Sequence, residues 1–488
     1  MREPAKHPAP GRVAAAVALL ALAGCAVGPD YQAPAVALDP AFIQSPAGSV
    51  ATPGADIATF WRGFADPLLS QLVERSLAAN GDVRIASARL QEARATLQGA
   101  EAELLPEIGV AAVATRSLTP EFQLPGLSRG QRTGSTFSTG FTASWELDLF
   151  GRNRRLGESA AAQLDASAAG VHAAQTAVAA EVARNYLELR GLQQRFEVAR
   201  ESLANQRDTL RLTTARLDAG RGTRLDVARA QSQYDSTEAS LPALQAAIER
   251  TAYRLATLTA QSPRAVAAQL TAPQLLPTLP ITDLSALPVG TPEQLLRRRP
   301  DLVAAERQLA AATADIGVAT ADLFPRVSLT GLIGFASNRL TDLGSRESPQ
   351  YSLGAGLTWP LLDFGRVRSR IAASEARAQQ SLAGYEQAVA IALEETEGAL
   401  TQFTRSAQQA ERLASAARHA EEATRLSRLR FDAGAVDLLV VLDAQRQSLA
   451  ARDALVVSQV GQATSLVAIY RALGGGWTEA PPAAMAQR

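Results

Sequence analysis

Residues 323–366 alternate apolar with small or polar positions, reading LFPRVSLTGLIGF, a polar loop, then YSLGAGLTWPLLDFGR. Val327, Leu329, Gly331, Ile333 and Phe335 fall on one face, against Ser328, Thr330, Leu332 and Gly334 on the other. Tyr351, Leu353, Ala355, Leu357 and Trp359 oppose Ser352, Gly354, Gly356 and Thr358 in the same way. A period of two predicts strands with one apolar face, here joined as a β-hairpin. Large apolar and aromatic residues facing away from Gly, Ser and Thr suit a wall between lipid and water. A second copy lies upstream, where Pro106 stands for Pro325 and Trp145-Glu-Leu-Asp-Leu-Phe-Gly151-Arg152 stands for Trp359-Pro-Leu-Leu-Asp-Phe-Gly365-Arg366. Strands are expected near 107–116, 136–147, 326–336 and 350–360.

The period then changes. Residues 151–218 and 366–432 read as unbroken helices, each about 100 Å long at 1.5 Å per residue. Leu164, Val171 and Val178, then Val182 and Leu189, recur at sevens, as do Leu382 with Val389 and Leu393 with Leu400. That spacing is the coiled-coil one. Each long helix ends at a repeated turn, Arg216-Leu-Asp-Ala-Gly220 or Arg430-Phe-Asp-Ala-Gly434, before a second helix over 225–260 or 437–472. Ahead of the hairpins, 82–105 matches 301–324 at an offset of 219 residues, against 214 after them, so the second hairpin loop is shorter. Asp82 is the expected N-cap of the first helix of the repeat. The chain is a tandem duplication of helix, hairpin, long helix and helix, expected to form one interlocked body.

This assigns 1–24 to a signal peptide, 25–81 to a strap and equatorial segment, 82–261 to the first repeat, 262–300 to an equatorial linker, 301–472 to the second repeat and 473–488 to a tail. Within the strap, 67–79 reads as a short amphipathic helix. Phe60, Trp61 and Phe64 read as buried anchors, with a carbohydrate or ligand platform as the alternative. The proline-rich linker reads as an irregular belt. Each short helix before a hairpin, added to the helix after the turn, nearly matches one long helix, so each pair is expected to stack end to end.

Composition narrows the chemistry. Forty-eight basic residues balance 48 acidic ones, which gives no electrostatic ground for nucleic acid. With one cysteine and three scattered histidines, an internal disulfide is impossible and a Cys/His metal site is not expected. Phosphate-loop and zinc-hydrolase motifs are lacking, so no enzyme and no cofactor are expected. Gly220-Arg-Gly222 is a glycine pair in a turn, and Arg297 to Arg299 reads as a solvated helix end. Glu394, Glu395 and Glu397 read as a solvated or tunnel-lining face. At the N-terminus, Arg2, Lys6 and Arg12 precede an apolar run over 13–23 that is too short to span a membrane, which describes an export signal. The sequence Leu22-Ala23-Gly24-Cys25 resembles the bacterial lipobox, implying a covalent lipid (palmitate among its acyl chains) on Cys25; an ordinary signal peptide with a chance cysteine is the alternative. Ala26, where inner-membrane lipoproteins carry a retention aspartate, implies the outer membrane. Four strands cannot close a barrel and open edges are not tolerated in lipid, so several chains must contribute; dimer, trimer and tetramer all satisfy that arithmetic.

Taken together, Cys25-Ala-Val-Gly-Pro-Asp30-Tyr, the paired hairpins with their Phe-Gly-Arg exits, and Phe431-Asp-Ala-Gly434 followed by Leu442-Asp443-Ala-Gln445-Arg446 resemble the TolC-like outer membrane factors, and within them the NodT-type lipoproteins of RND efflux systems. The resemblance covers essentially the whole mature chain. It implies a mainly α fold with a small transmembrane β part: a homotrimeric α-helical tunnel continuous with a 12-stranded shared β-barrel. It further implies a periplasmic adaptor and an inner-membrane RND-type pump as partners. Leu439, Asp443 and Arg446 match positions at the closed periplasmic entrance of such channels. Their spacing of i, i+4 and i+7 puts them on one helix face; without the resemblance, Asp443 and Arg446 also read as a solvated surface pair. At the first turn Leu225 matches Leu439, but Arg229 and Ser232 stand for Asp443 and Arg446, so Arg229 is a candidate partner charge. The turns at Gly220, Gly222 and Gly434 are the implied adaptor-docking points, with Asp226 and Asp437 near them. The implied function is a passive export duct gated at its tip, and the alternative is a non-conducting, periplasm-spanning coiled-coil lipoprotein.

Overall fold

The computed structural model describes residues 26–44, 57–270, 272–284, 287 and 289–475. The expected signal peptide, Cys25 and the tail from 476 lie outside the described residues. In chain order the helices are α1 (Pro67–Ala79), α2 (Gly81–Ala102), α3 (Arg152–Asp218), α4 (Arg224–Leu258), α5 (Pro263–Leu270), α6 (Pro292–Arg298), α7 (Pro300–Ala321), α8 (Arg366–Asp432) and α9 (Leu438–Ala472). Strands β1 (Glu107–Leu118) and β2 (Thr133–Leu147) lie between α2 and α3, and β3 (Arg326–Ser337) and β4 (Pro349–Thr358) between α7 and α8. The chain groups into two compact units, one built from residues up to 34, 90–167 and 305–385, the other from 35–89, 168–304 and 386 onward. Each unit draws on both repeats, so neither repeat is a domain by itself. No described helix is long and apolar enough to cross a membrane.

The first unit holds one antiparallel sheet in the order β1-β2-β3-β4. Glu107 lies opposite Ser144 in the first hairpin and Arg326 opposite Thr358 in the second, which is the same pair at the offsets of 219 and 214. The duplication therefore holds at the level of strand register. Between the hairpins, β2 pairs with β3 from Phe137 opposite Ser337 to Leu147 opposite Val327. One face carries exposed Ile108, Val110, Phe141, Ile333, Tyr351, Leu353 and Leu357; the other is mostly Gly, Ser and Thr, with Val113 and Leu332 as exceptions. Among the described residues, β1 and β4 have no strand beyond them.

Equivalent devices anchor both hairpins. The indole Nε1 of Trp145 donates to the Leu104 carbonyl at 3.0 Å, and that of Trp359 to the Leu323 carbonyl at 3.0 Å. At the strand exits Gly151 (φ +77) and Gly365 (φ +90) take the left-handed conformation that turns the chain into α3 and α8. Asp148 accepts from the Asn153 and Arg154 amides. Asp363 does the same for Val367 and Gly365, and those amide bonds hold its carboxyl below the usual aspartate range.

In the second unit Val178, Val182, Leu189, Val389 and Leu400 are buried, as their heptad spacing predicts. Leu164, Val171, Leu382 and Leu393 are only partly covered, and in the first unit Ala162 and Ala166 are buried on α3 instead. Small side chains there let helix backbones approach, which moves leucine to the edge of the seam. Phe60, Trp61 and Phe64 are buried, with the Phe60 ring stacked on Tyr470 at 4.8 Å. The strap is more ordered than expected here, since Ile57–Phe64 is a 3-10 segment.

The paired helices meet end to end. The Asn80 amide, ahead of α2, donates to the Leu258 carbonyl near the end of α4, and the Arg299 guanidinium, ahead of α7, donates to the Ala472 carbonyl of α9. Asn80, rather than Asp82, supplies the helix cap, its side-chain oxygen accepting from the Asp82 amide at 2.8 Å. The linker is less irregular than its prolines suggest, because α5 and α6 both start on them, where a missing N–H costs nothing.

Arg299 also departs from its sequence reading. It is buried, gripping Asp301 at 2.6 Å and Glu395 at 2.8 Å, whereas Arg297 pairs with Glu293 on the surface. Glu395 and Glu397 accordingly do not form a free acidic face: Glu395 bridges Arg299 and Arg471, and Glu397 accepts from the Ile43 amide.

Candidate functional site

The site is the paired helical tip where α3 turns into α4 and α8 into α9, all within the second unit. Both turns end in the same C-cap. Gly220 (φ +70) donates to the Leu217 carbonyl while the Arg221 amide reaches back to Arg216 at 2.8 Å; Gly434 (φ +71) and Ala435 repeat this on Phe431 and Arg430. This is the Schellman pattern, which satisfies helix-end carbonyls and demands a residue tolerant of positive φ. Gly222 is favoured for another reason, since a Cβ there would crowd the Leu217 nitrogen at 3.1 Å. After the first turn Thr223 and Asp226 form a reciprocal capping box, so Asp226 is engaged locally. Asp437 occupies the equivalent cap position without a side-chain cap bond.

Beneath the turns lies a small apolar core of Ala230, Phe431, Leu438, Val441 and Leu442, packed by Leu210, Leu212 and Val436. The Arg216 guanidinium sits 4.0 Å over the Phe431 ring and donates to the Phe431 carbonyl, tying the first turn to the second. Deeper, Gln445 donates to the Thr209 hydroxyl at 3.0 Å and Gln233 to the Leu442 carbonyl at 3.2 Å. These contacts set the rotation of α9: Leu438, Val441, Leu442 and Gln445 face inward, which turns Leu439, Asp443 and Arg446 outward.

On that outer face Asp443 accepts from Arg446 at 2.6 Å and from Gln447 at 2.7 Å, through different carboxylate oxygens. Leu439 is 54% exposed and the Arg446 side chain 74%. Such an exposed pair contributes roughly 0–1 kcal/mol, so it stabilises the protomer little. Arg229 lines the same groove of about 600 Å³, with Gln206, Gln233, Leu439, Asp443 and Arg446. Among the described residues it forms no ion pair with Asp443. Sequence reasoning did not single out Arg216, Phe431, Gln445 or Thr209 as tip residues, although the first two stood inside the repeated turn motif.

An apolar sheet face with two free edges, carried by duplicated helices that end in two matching turns, defines a channel-forming outer membrane protein. The chain belongs to the outer membrane efflux protein family, whose model matches residues 72–261 and 291–475. It is an outer membrane channel of an efflux system, in a family of channels rather than of enzymes. It is 34% identical over 427 residues to the pyoverdine export outer membrane protein OpmQ of Pseudomonas aeruginosa, covering 86% of this chain and 88% of OpmQ. Nodulation protein T of Rhizobium leguminosarum bv. trifolii is 33% identical over 461 residues, covering 94% of this chain and 96% of that one. Among solved structures, the outer-membrane channel OprN superposes with a TM-score of 0.84 at 40% identity, covering 93% of this chain and all of the OprN chain.

Proposed function

We propose that three copies of this chain form a passive, gated export duct, in which three four-stranded sheets close a 12-stranded barrel and the helices enclose a tunnel leading to it. The observation that carries this reading is the sheet itself: exposed apolar residues on one face, mostly small polar residues on the other, and a free edge at each end. A free edge in lipid leaves backbone groups unsatisfied, and only closure with further strands removes that cost. A coiled-coil tether would have no use for such a face.

In this reading Leu439, Asp443 and Arg446 of three protomers ring the periplasmic entrance. Three apolar side chains narrow it, and three nearby carboxylates bias it toward cations, with the arginines as counter-charges. Arg229, on the wall of the same groove, donates to Asp443 when the α3–α4 and α8–α9 hairpins shift. The turns at Gly220, Gly222 and Gly434 offer rigid, exposed backbone to a periplasmic adaptor, and an RND-type inner-membrane pump supplies the energy. A lipid on Cys25 adds a membrane anchor to the barrel.

The gate is tested in cells. Asp443→Ala combined with Arg446→Ala should admit large hydrophilic antibiotics that the outer membrane otherwise excludes, with normal protein levels. Unchanged exclusion would move the gate to other residues.

A further inference from the structure

Charge is divided unevenly between the two faces of the sheet. Its strands carry four charged residues, Glu107, Arg116, Glu146 and Arg326. Alternation and the observed register put Glu107, Glu146 and Arg326 on the face of small polar residues, and Arg116 alone on the apolar face, in line with Ile108 and Val110. Arg116 is exposed, and among the described residues its guanidinium has neither an ion pair nor a hydrogen bond.

Depth gives this charge a meaning. Trp145, on the same face, marks the end of the strands that joins the helices, its indole held on the Leu104 carbonyl. Arg116 lies opposite Ser135, ten residues along β2 from Trp145. At about 3.3 Å per residue and a strand tilt of about 40°, that is roughly 25 Å across the membrane, the height of the apolar band of outer membrane barrels. A charge facing lipid costs most at the midplane and little at the boundary. Arg116 therefore stands at the boundary beside the hairpin loops, where the outer leaflet carries its headgroups.

That boundary holds further unpaired cations. The β2–β3 register ends at Phe137 opposite Ser337; carried on by two residues, it reaches Arg339 beside Ser135. The Arg339 backbone is extended (φ −131, ψ 139), and its guanidinium, like those of Arg129 and Arg346 in the loops, has no partner among the described residues. Arg132, by contrast, is committed within the first loop to the Thr119 and Leu127 carbonyls and to Glu121 at 3.7 Å. Over residues 112–140 and 331–353 only Glu121, Asp342 and Glu347 oppose these five arginines, so the rim as a whole favours an anion.

We propose that Arg116 and Arg339 bind the phosphate of a lipid in the outer leaflet, the phosphorylated glycolipid of that leaflet, whose acyl chains lie along Val110, Phe141 and Ile333. The proposal rests on the duct reading, which sets this face against lipid, and adds a lipid partner that closing the barrel does not require. Two strand spacings of about 4.8 Å separate the two positions, which brings both guanidinium groups within reach of one phosphate. Arginine suits that partner because its planar fork matches phosphate oxygens two at a time. Ser135, between them in register, offers a hydroxyl to the sugar.

The full-length protein, purified in detergent and stripped of lipid, is titrated with bisphosphorylated lipid A, with the same lipid lacking both phosphates, and with phosphatidylglycerol, and bound lipid is counted by native mass spectrometry. The wild-type protein should hold the phosphorylated lipid A about tenfold more tightly than the dephosphorylated form. Arg116→Gln with Arg339→Gln should remove that preference, and Arg116→Lys with Arg339→Lys should restore most of it. Arg412→Gln with Arg418→Gln, which removes two unpaired charges in the second unit, should leave it unchanged. Equal wild-type affinity for the two forms of lipid A would overturn phosphate recognition, however any variant folds. A preference that survives in the Gln variant would overturn the assignment to these arginines. Equally tight binding of phosphatidylglycerol would overturn the glycolipid as the occupant. Wild-type protein that does not insert into vesicles at all would overturn the lipid-facing sheet, and the proposal with it.

Discussion

At the scale of single residues, burial decides what a charge does. Arg299 and Arg297 are two positions apart in one basic run, yet Arg299 is enclosed between Asp301, Glu395 and the Ala472 carbonyl while Arg297 stays on the surface. Arg299→Met should lower stability by about 1–3 kcal/mol, discounted because both carboxylates are partly exposed; Arg297→Met should change it by under about 0.5 kcal/mol. Thermal unfolding in detergent measures both, and equal effects would contradict the assignment. Glu181 supplies a pH dependence. Burial works against its charge, but hydrogen bonds from Arg184 and Asn185 outweigh that and hold its carboxyl below the usual glutamate range. A depressed folded-state value means that the unfolded chain binds the proton more readily. Its stabilisation is therefore complete above about pH 4.3 and is lost as pH falls further. Glu181→Gln should flatten that acid-side loss, and an unchanged acid profile would rule the contribution out. Neither residue was legible in the sequence, because a run of arginines or a lone glutamate carries no sign of what packs over it.

Among the elements, much was legible because each depends on local rules. Strand alternation marked the second hairpin, and the internal repeat placed the first in the equivalent position before any pairing was seen. The tip face was picked out by the family resemblance, and helical spacing alone put Leu439, Asp443 and Arg446 on one side of the helix. What sets that face outward was not legible, because Gln445 on Thr209 and Arg216 on Phe431 join residues more than 200 positions apart. The buried alanines of α3 escaped notice for a related reason: heptad reading favours leucine, while close helix approach favours the smaller residue. Gly434 offers a test at this scale. A β-branched residue at φ +71 is strained by about 1–2 kcal/mol, so Gly434→Val should loosen the second turn while leaving the sheet unchanged. Hydrogen exchange should speed up over residues 429–440 alone. Unchanged exchange there would mean that the cap does not hold the tip.

For the whole molecule, duplication accounts for both the sheet and its incompleteness. Two hairpins in one register make half of their edge contacts within the chain and present the other half outward, as a closed ring of identical copies requires. Anchoring is a separate matter. If Cys25 carries lipid, Cys25→Ser should abolish labelling by a radiolabelled fatty acid while the barrel still inserts; persistent labelling would contradict the lipid assignment. Conduction is tested by single-channel recording of the purified protein in planar bilayers. Discrete openings of small conductance are expected, larger in the Asp443→Ala, Arg446→Ala protein. Electrical silence from both, with insertion shown independently, would contradict the duct.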